Sequence, residues 1–97
     1  MTIYVDELKD NLWKLRGRYV KNCHMFSDIS IKELLEFAEK IGMKKNWIQK
    51  SRTGFIHFDL VESRRKRAIE MGAKEITNYE MGKILLEHRR KRRKKAL

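Results

Sequence analysis

Residues 56–60 read Ile56-His57-Phe58-Asp59-Leu60, a strict alternation of apolar and polar side chains. Period two is the signature of a strand with one buried face, so Ile56, Phe58 and Leu60 point to a core and His57 and Asp59 point away from it. The period then changes: from about Val61 to Met71 the pattern suits a helix, which Gly72 is placed to end. Upstream, Ser51-Arg52-Thr53-Gly54 reads as a turn and Trp47-Ile48-Gln49 as a strand. A link this short between Trp47 and His57 allows an antiparallel pair.

Further toward the N-terminus, Ser30 followed by Glu33 forms a capping box, in which each side chain satisfies the other's free backbone donor. Ile31, Leu34, Leu35, Ala38 and Ile41 share one face of the helix that follows, and Gly42 is suited to the left-handed conformation that closes it. Asn22 to Phe26 makes a strand ending in Ser27 and Asp28, and Thr2-Ile3-Tyr4-Val5, closed by Asp6, makes a first strand that is central because it is apolar nearly throughout. Residues 7 to 20, with Leu8, Leu12, Trp13 and Leu15 ahead of Gly17, read as a loop or short helix. Downstream, Lys74-Glu75-Ile76 is extended, and Thr77 with Glu80 caps a last helix with Met81, Ile84 and Leu85 inward. The fold expected is α/β or α+β, a small mixed sheet of about four strands covered by about three helices. Residues 1–88 form one globular domain, and 89–97 a polybasic extension that prolongs the last helix into solvent.

Arg89, Arg90, Lys91, Arg92, Arg93, Lys94 and Lys95 are seven consecutive cations in a chain of net charge +11. Setting them aside leaves 17 Lys and Arg against 13 Asp and Glu, so the body carries only about +4. A block this dense repels itself unless a polyanion neutralises it, which makes nucleic acid, DNA or RNA, the expected partner. An apolar fraction of 41% supports a folded body despite 38% charged residues. The single cysteine, Cys23, excludes an internal disulfide and the cysteine-rich zinc spacings, and fits a reducing compartment such as the cytoplasm. The N-terminus has no basic region followed by an apolar stretch, and no run approaches a membrane span, which argues against secretion and membrane insertion.

Several short motifs in order make the chain resemble a phage and bacterial family, domain of unknown function 4031. They are Thr2-Ile3-Tyr4-Val5-Asp6; Cys23-His24-Met25 with Asp28; the helix end from Leu34 to Gly42; Trp47 with Gln49; His57-Phe58-Asp59; and Gly72-Ala73 with Glu75-Ile76-Thr77. The resemblance covers roughly residues 1 to 80 and implies a phage or prophage accessory protein in a bacterial host. It implies no reaction, and the polybasic end departs from the family pattern.

Two constellations carry chemistry. His57 and Asp59, two apart on one strand face, can converge with His24 and with Asp6 at the ends of other strands. Imidazole plus carboxylate suits zinc, manganese or iron, and an open position on such an ion would activate water against a phosphodiester. The alternative is an ordinary buried polar network in which His57 donates to Asp59 or a carbonyl, and His24 pairs with Asp28 or Asp6. The second constellation is Arg64-Arg65-Lys66-Arg67 at the start of the helix after Asp59, with Arg64 and Arg67 on one face, where an anion could sit between the helix end and the histidines. Trp13, Tyr19, Trp47 and Phe55 are interleaved with cations and could stack on unpaired bases, with Trp47 read as core and Trp13 and Phe55 as exposed. Cys23 lies in an apolar strand and is a poor nucleophile.

The leading expectation is therefore a nucleic-acid-binding or nucleoprotein-binding accessory protein anchored by the basic helix. A metal-dependent phosphodiesterase or nuclease is the alternative, with a divalent metal as its cofactor. A third reading is an inhibitor that covers a host enzyme or defence complex by protein contact.

Overall fold

The computed structural model describes residues 2–28, 30–52 and 54–96, with backbone alone for residues 11–13, 15, 88–89 and 91–96. In chain order these form β1 (Ile3–Val5), β2 (Lys9–Leu15), β3 (Arg18–Ser27), α1 (Ile31–Lys40), a 3₁₀ turn at Lys45–Trp47, β4 (Gln49–Lys50), β5 (Ile56–Val61), α2 (Glu62–Glu70), β6 (Lys74–Glu75) and α3 (Asn78–Ala96). One sheet runs β4-β5-β3-β1-β6, with β2 also on β3. β1 and β6 are parallel and every other pair is antiparallel, so the sheet is mixed, as expected, and β4 does pair with β5. The domain is α+β, with six strands where the sequence suggested about four.

One further strand is the short Lys74–Glu75 pairing with β1, read as merely extended. The other, β2, corrects the reading of residues 7–20, which form the first arm of a hairpin and not a loop or helix. Leu8, Leu12 and Leu15 stand at helical spacing, which disguises the strand. The turn itself is the two residues Arg16 and Gly17, both at positive φ (52° and 80°). Such turns match the twist of the flanking strands and usually show Asn-Gly, so arginine in the first position hides the signal. β3 is thereby ten residues long, pairing β2 along its first half and β1 along its second. It is the middle strand, and β1, paired with β3 on one side and β6 on the other, is interior as expected.

The two faces of the sheet have different jobs. Ile3, Val5, Cys23, Met25, Phe58 and Leu60 share one face and form the main core with Leu34, Ala38 and Ile41 of the α1 region and Ala68 of α2. Tyr4, Asp6, His24, Phe26, His57 and Asp59 alternate onto the other face. There α3 covers one end, where Phe26, Ile76 and Met81 pack with Tyr4, Phe55, Ile84 and Leu85.

Helix ends follow the sequence with one change. Thr77 and Glu80 complete their capping box: the Glu80 N–H donates to Thr77 Oγ1 at 3.1 Å and the Thr77 N–H to Glu80 Oε1 at 3.1 Å. At α1 only half of it forms. The Glu33 N–H donates to Ser30 Oγ at 3.4 Å, while the Ser30 N–H donates to Ser27 Oγ at 3.2 Å. The Ser27 hydroxyl thus takes the role expected of Glu33. Gly42, at φ 81°, ends α1 as expected, and an added Cβ would lie 2.9 Å from Arg64 Nη1, which itself donates to the Ile41 carbonyl at 2.8 Å.

Ile31 is 49% exposed, so the α1 apolar face starts one turn later than its spacing suggested. Trp47, read as core, is instead 44% exposed, with Lys44 and Arg64 each 5.9 Å from its ring centre. Phe55, read as exposed, is half-buried between aromatic rings. Trp13's side chain lies outside the described residues. Among the described residues no helix is long and apolar enough to cross a membrane.

Candidate metal centre

Strand register, not sequence proximity, assembles the site. His24 lies opposite Asp59 between β3 and β5, and the Asp6 N–H donates to the His24 carbonyl at 3.2 Å, extending the same rung to the end of β1. Asp6, His24 and Asp59 therefore stand in a row across three strands. His57 joins them from two residues back on β5, its ring 5.0 Å from that of His24.

Each imidazole has one nitrogen committed and one turned inward. His57 Nδ1 donates to the Phe55 carbonyl at 3.2 Å, and His24 Nδ1 donates to Asp6 Oδ2 at 2.9 Å. A neutral ring held in this way keeps its lone pair on Nε2, and among the described residues neither Nε2 makes a hydrogen bond. The two atoms face Asp59 Oδ1 at 3.6 Å from His57 and 4.0 Å from His24. Those separations are too long for direct hydrogen bonds. They suit three ligands around one ion with bonds of about 2.0–2.2 Å. One ligand atom from each of His24, His57 and Asp59 lies within 4.8 Å of the other two.

Neighbouring groups hold the candidate ligands in place. Gln49 Nε2 donates to Asp59 Oδ2 at 2.7 Å, which turns the other carboxylate oxygen toward the imidazoles. Asp6 is fully buried and also accepts the His24 N–H at 2.6 Å, with Lys9 Nζ 3.5 Å away. Burial by itself would raise the Asp6 pKa, but the bonds from His24 outweigh it and hold the carboxyl below its ordinary value. Asp6 thus holds His24 from behind, and it lies outside the His24, His57 and Asp59 group whose candidate ligand atoms converge. Fixing the tautomer and angle of a ligating histidine is the usual work of such a carboxylate.

Desolvation is the main influence on His57, and it lowers the pKa despite the Phe55 carbonyl and Asp59, so the ring is neutral at pH 7. The unfolded chain then takes up this proton first as pH falls below about 6.5, and the metal-free fold loses stability on that side. The depressed Asp6 carboxyl acts with the same sign lower down, since its contribution disappears as pH falls through its folded value. Urea midpoints of the metal-free chain are expected to fall between pH 7 and pH 5, and His57→Gln to flatten that fall. An unchanged slope in His57→Gln would show that His57 is not held neutral.

The other residues expected at a site lie elsewhere. α2 packs on the opposite sheet face, through Ala68. Arg64 donates to Ile41, and Arg67 is exposed. The anion seat expected between α2 and the histidines therefore has the sheet in between. Arg65, named in that run but not singled out, donates from Nε to the Asp6 carbonyl at 2.9 Å and from Nη1 to Glu75 Oε1 at 3.1 Å. Gln49 was overlooked as a site residue too, and its signal is the Gln49↔His57 pairing of β4 with β5. Asp28 is not the partner of His24, since its Oδ1 accepts the Thr2 N–H at 3.1 Å. The Cys23 thiol is pushed up to about 12, chiefly by burial, so it is inert as a nucleophile, as expected. The backbone of α3 continues through 89–96, while the side chains of Arg89 and Lys91 to Lys95 lie outside the described residues.

No curated protein and no solved structure matches this chain. A family model does match, over residues 3–88, which takes in β1, the β3 and β5 site residues and α3 up to the start of the basic run. The chain belongs to the family described as protein of unknown function (DUF4031).

Proposed function

We propose that this domain binds one divalent transition metal through His24, His57 and Asp59 and uses it to hydrolyse phosphodiester bonds in nucleic acid. The observation that carries the reading is the pair of free Nε2 atoms converging on Asp59 Oδ1 while both Nδ1 atoms are held by acceptors. An accidental polar network would be expected to close these gaps with direct hydrogen bonds. Two imidazoles and one carboxylate favour zinc, manganese, iron or cobalt over magnesium, which prefers oxygen ligands.

An ion held by His24, His57 and Asp59 would lower the pKa of a water and offset charge developing on the phosphoryl oxygens. Hydrolysis would join the water oxygen to phosphorus and break one P–O ester bond, with the water's proton passing to the departing alkoxide. The histidines reach the surface through His24, whose side chain is 29% exposed, so a strand can approach without opening the core. The α3 helix carries seven cations past the body and supplies the substrate's electrostatic hold. A reducing cytoplasm, as in a bacterial host of phage, suits the free Cys23.

End-labelled single-stranded and duplex DNA and RNA, incubated with the full chain and Zn2+, Mn2+ or Co2+, test the proposal. Metal-dependent products that vanish with EDTA are expected. Stoichiometric metal with intact strands in every case would remove the hydrolase and leave a metal-stabilised nucleic-acid-binding domain.

A further inference from the structure

Two residues along β3 from His24 and two before His57, at the end of the sheet that both α1 and α3 reach, lies a groove of about 610 Å³. Tyr4, Phe26 and Phe55 line it, with Ile31 and Leu34 of α1 and Ile84 and Leu85 of α3. The rings form a continuous row: Tyr4 stacks on Phe26 at 5.3 Å, Phe26 meets Phe55 at 5.2 Å, and Phe55 stacks on His57 at 4.8 Å with an interplanar angle of 14°. Phe55 is thus a shared wall of groove and centre. Two strand residues span about 6.6–6.8 Å, a separation comparable to that between a nucleotide's phosphate and its base.

Charge decides which end of a nucleotide faces which site. The groove's rim carries Asp28, Glu87 and the hydroxyls of Ser27 and Ser30. Carboxylates repel a phosphate, whereas they accept hydrogen bonds from the exocyclic amino groups of adenine, cytosine and guanine. The half-buried rings of Tyr4 and Phe55 present flat apolar surface of the kind on which bases stack. A base paired in a duplex cannot enter such a groove, so its occupant is unpaired. Ile84 and Leu85, which also line the groove, belong to the helix that runs on into Arg89 to Lys95. A chain of phosphates leaving the groove along α3 therefore meets cations, which favours a polynucleotide over a free mononucleotide.

We infer that this groove is a base-binding subsite for single-stranded nucleic acid, holding an unpaired base next to a phosphodiester at His24, His57 and Asp59. The inference rests on the metal-centre reading for the position of the phosphate, but the base site itself does not need the ion.

Fluorescence anisotropy of the full chain on a short labelled single-stranded DNA, the same strand made abasic throughout, and its matched duplex tests it, each with Zn2+ and with EDTA. The base-bearing strand is expected to bind about tenfold tighter than the abasic one in both conditions, from stacking alone. Tyr4→Leu, which keeps bulk without the aromatic ring, is expected to remove most of that ratio while leaving Zn2+ uptake unchanged. Equal affinity of the wild-type chain for the base-bearing and abasic strands overturns the subsite, whatever the metal does. A base preference that persists in a chain taking up no Zn2+ upholds the subsite and sinks the metal reading instead.

Discussion

Replacing His57 with alanine is expected to abolish stoichiometric metal uptake while the chain stays folded. Removing one of three protein ligands is expected to weaken Zn2+ binding by about 100-fold or more, beyond the roughly 10–100-fold typical of losing an orienting partner. Wild type should bind one Co2+ per chain, followed by its visible absorption. The fold survives because the main core lies on the other face of the sheet, around Phe58 and Leu60, where His57 makes no contribution. Circular dichroism and the urea midpoint in EDTA check that point. Asp6→Asn gives the companion result: His24 is retained but loses its charged Nδ1 acceptor, so affinity falls by about 10–100-fold without vanishing. Wild type that binds no Co2+ would reduce the whole cluster to a hydrogen-bonded network.

The second large effect belongs to the other end of the chain. Deleting residues 89–97 is expected to weaken binding to nucleic acid by about 100-fold at moderate salt and to reduce the slope of log affinity against log salt by about 3. Seven consecutive helical positions are spread round an axis, so about four phosphate contacts are taken for one strand. Each phosphate contact contributes about 0.7 to the slope on single strands and 0.9 on duplex. Co2+ uptake should be identical in the truncated chain, because the proposed ligands His24, His57 and Asp59 lie on β3 and β5. A truncated chain that keeps its affinity and salt slope would move the nucleic-acid contact onto the body, and the tail would then be a solvated extension with no share in binding.

How much of this could be read in the residues differs sharply between elements. The Ile56–Leu60 alternation named both the buried and the chemical face of β5, and the structure agrees residue by residue. The Thr77–Glu80 cap and the inward Met81, Ile84 and Leu85 also held, because capping and helical periodicity are local. The β2 arm failed because its leucines imitate a helical face and its turn carries arginine where asparagine is usual. Trp47 failed for a related reason: apolar character does not say which side of a short 3₁₀ turn faces water. At the site, His24, His57 and Asp59 were legible as metal-compatible residue types. The His24–Asp6 pair was among the alternatives the residues offered, and Phe55 was legible as a stacking ring though not as half-buried, whereas the contributions of Gln49 and Arg65 were not legible.

The sequence by itself determined the secondary-structure types of the strongly periodic segments, the mixing of helix and sheet, the dense positive charge at the C-terminus and the residue types available for a metal. These follow from period, composition and charge, each a property of residues near one another in the chain. Only the tertiary structure decided that β3 is the middle strand, that Asp6, His24 and Asp59 share a rung, that both Nε2 atoms are free, and that an aromatic groove adjoins them. Those facts depend on the register between strands up to 35 positions apart, as between His24 and Asp59. Register is set by how both faces of the whole sheet pack at once, and a one-residue slip would have turned every one of these side chains to the opposite face.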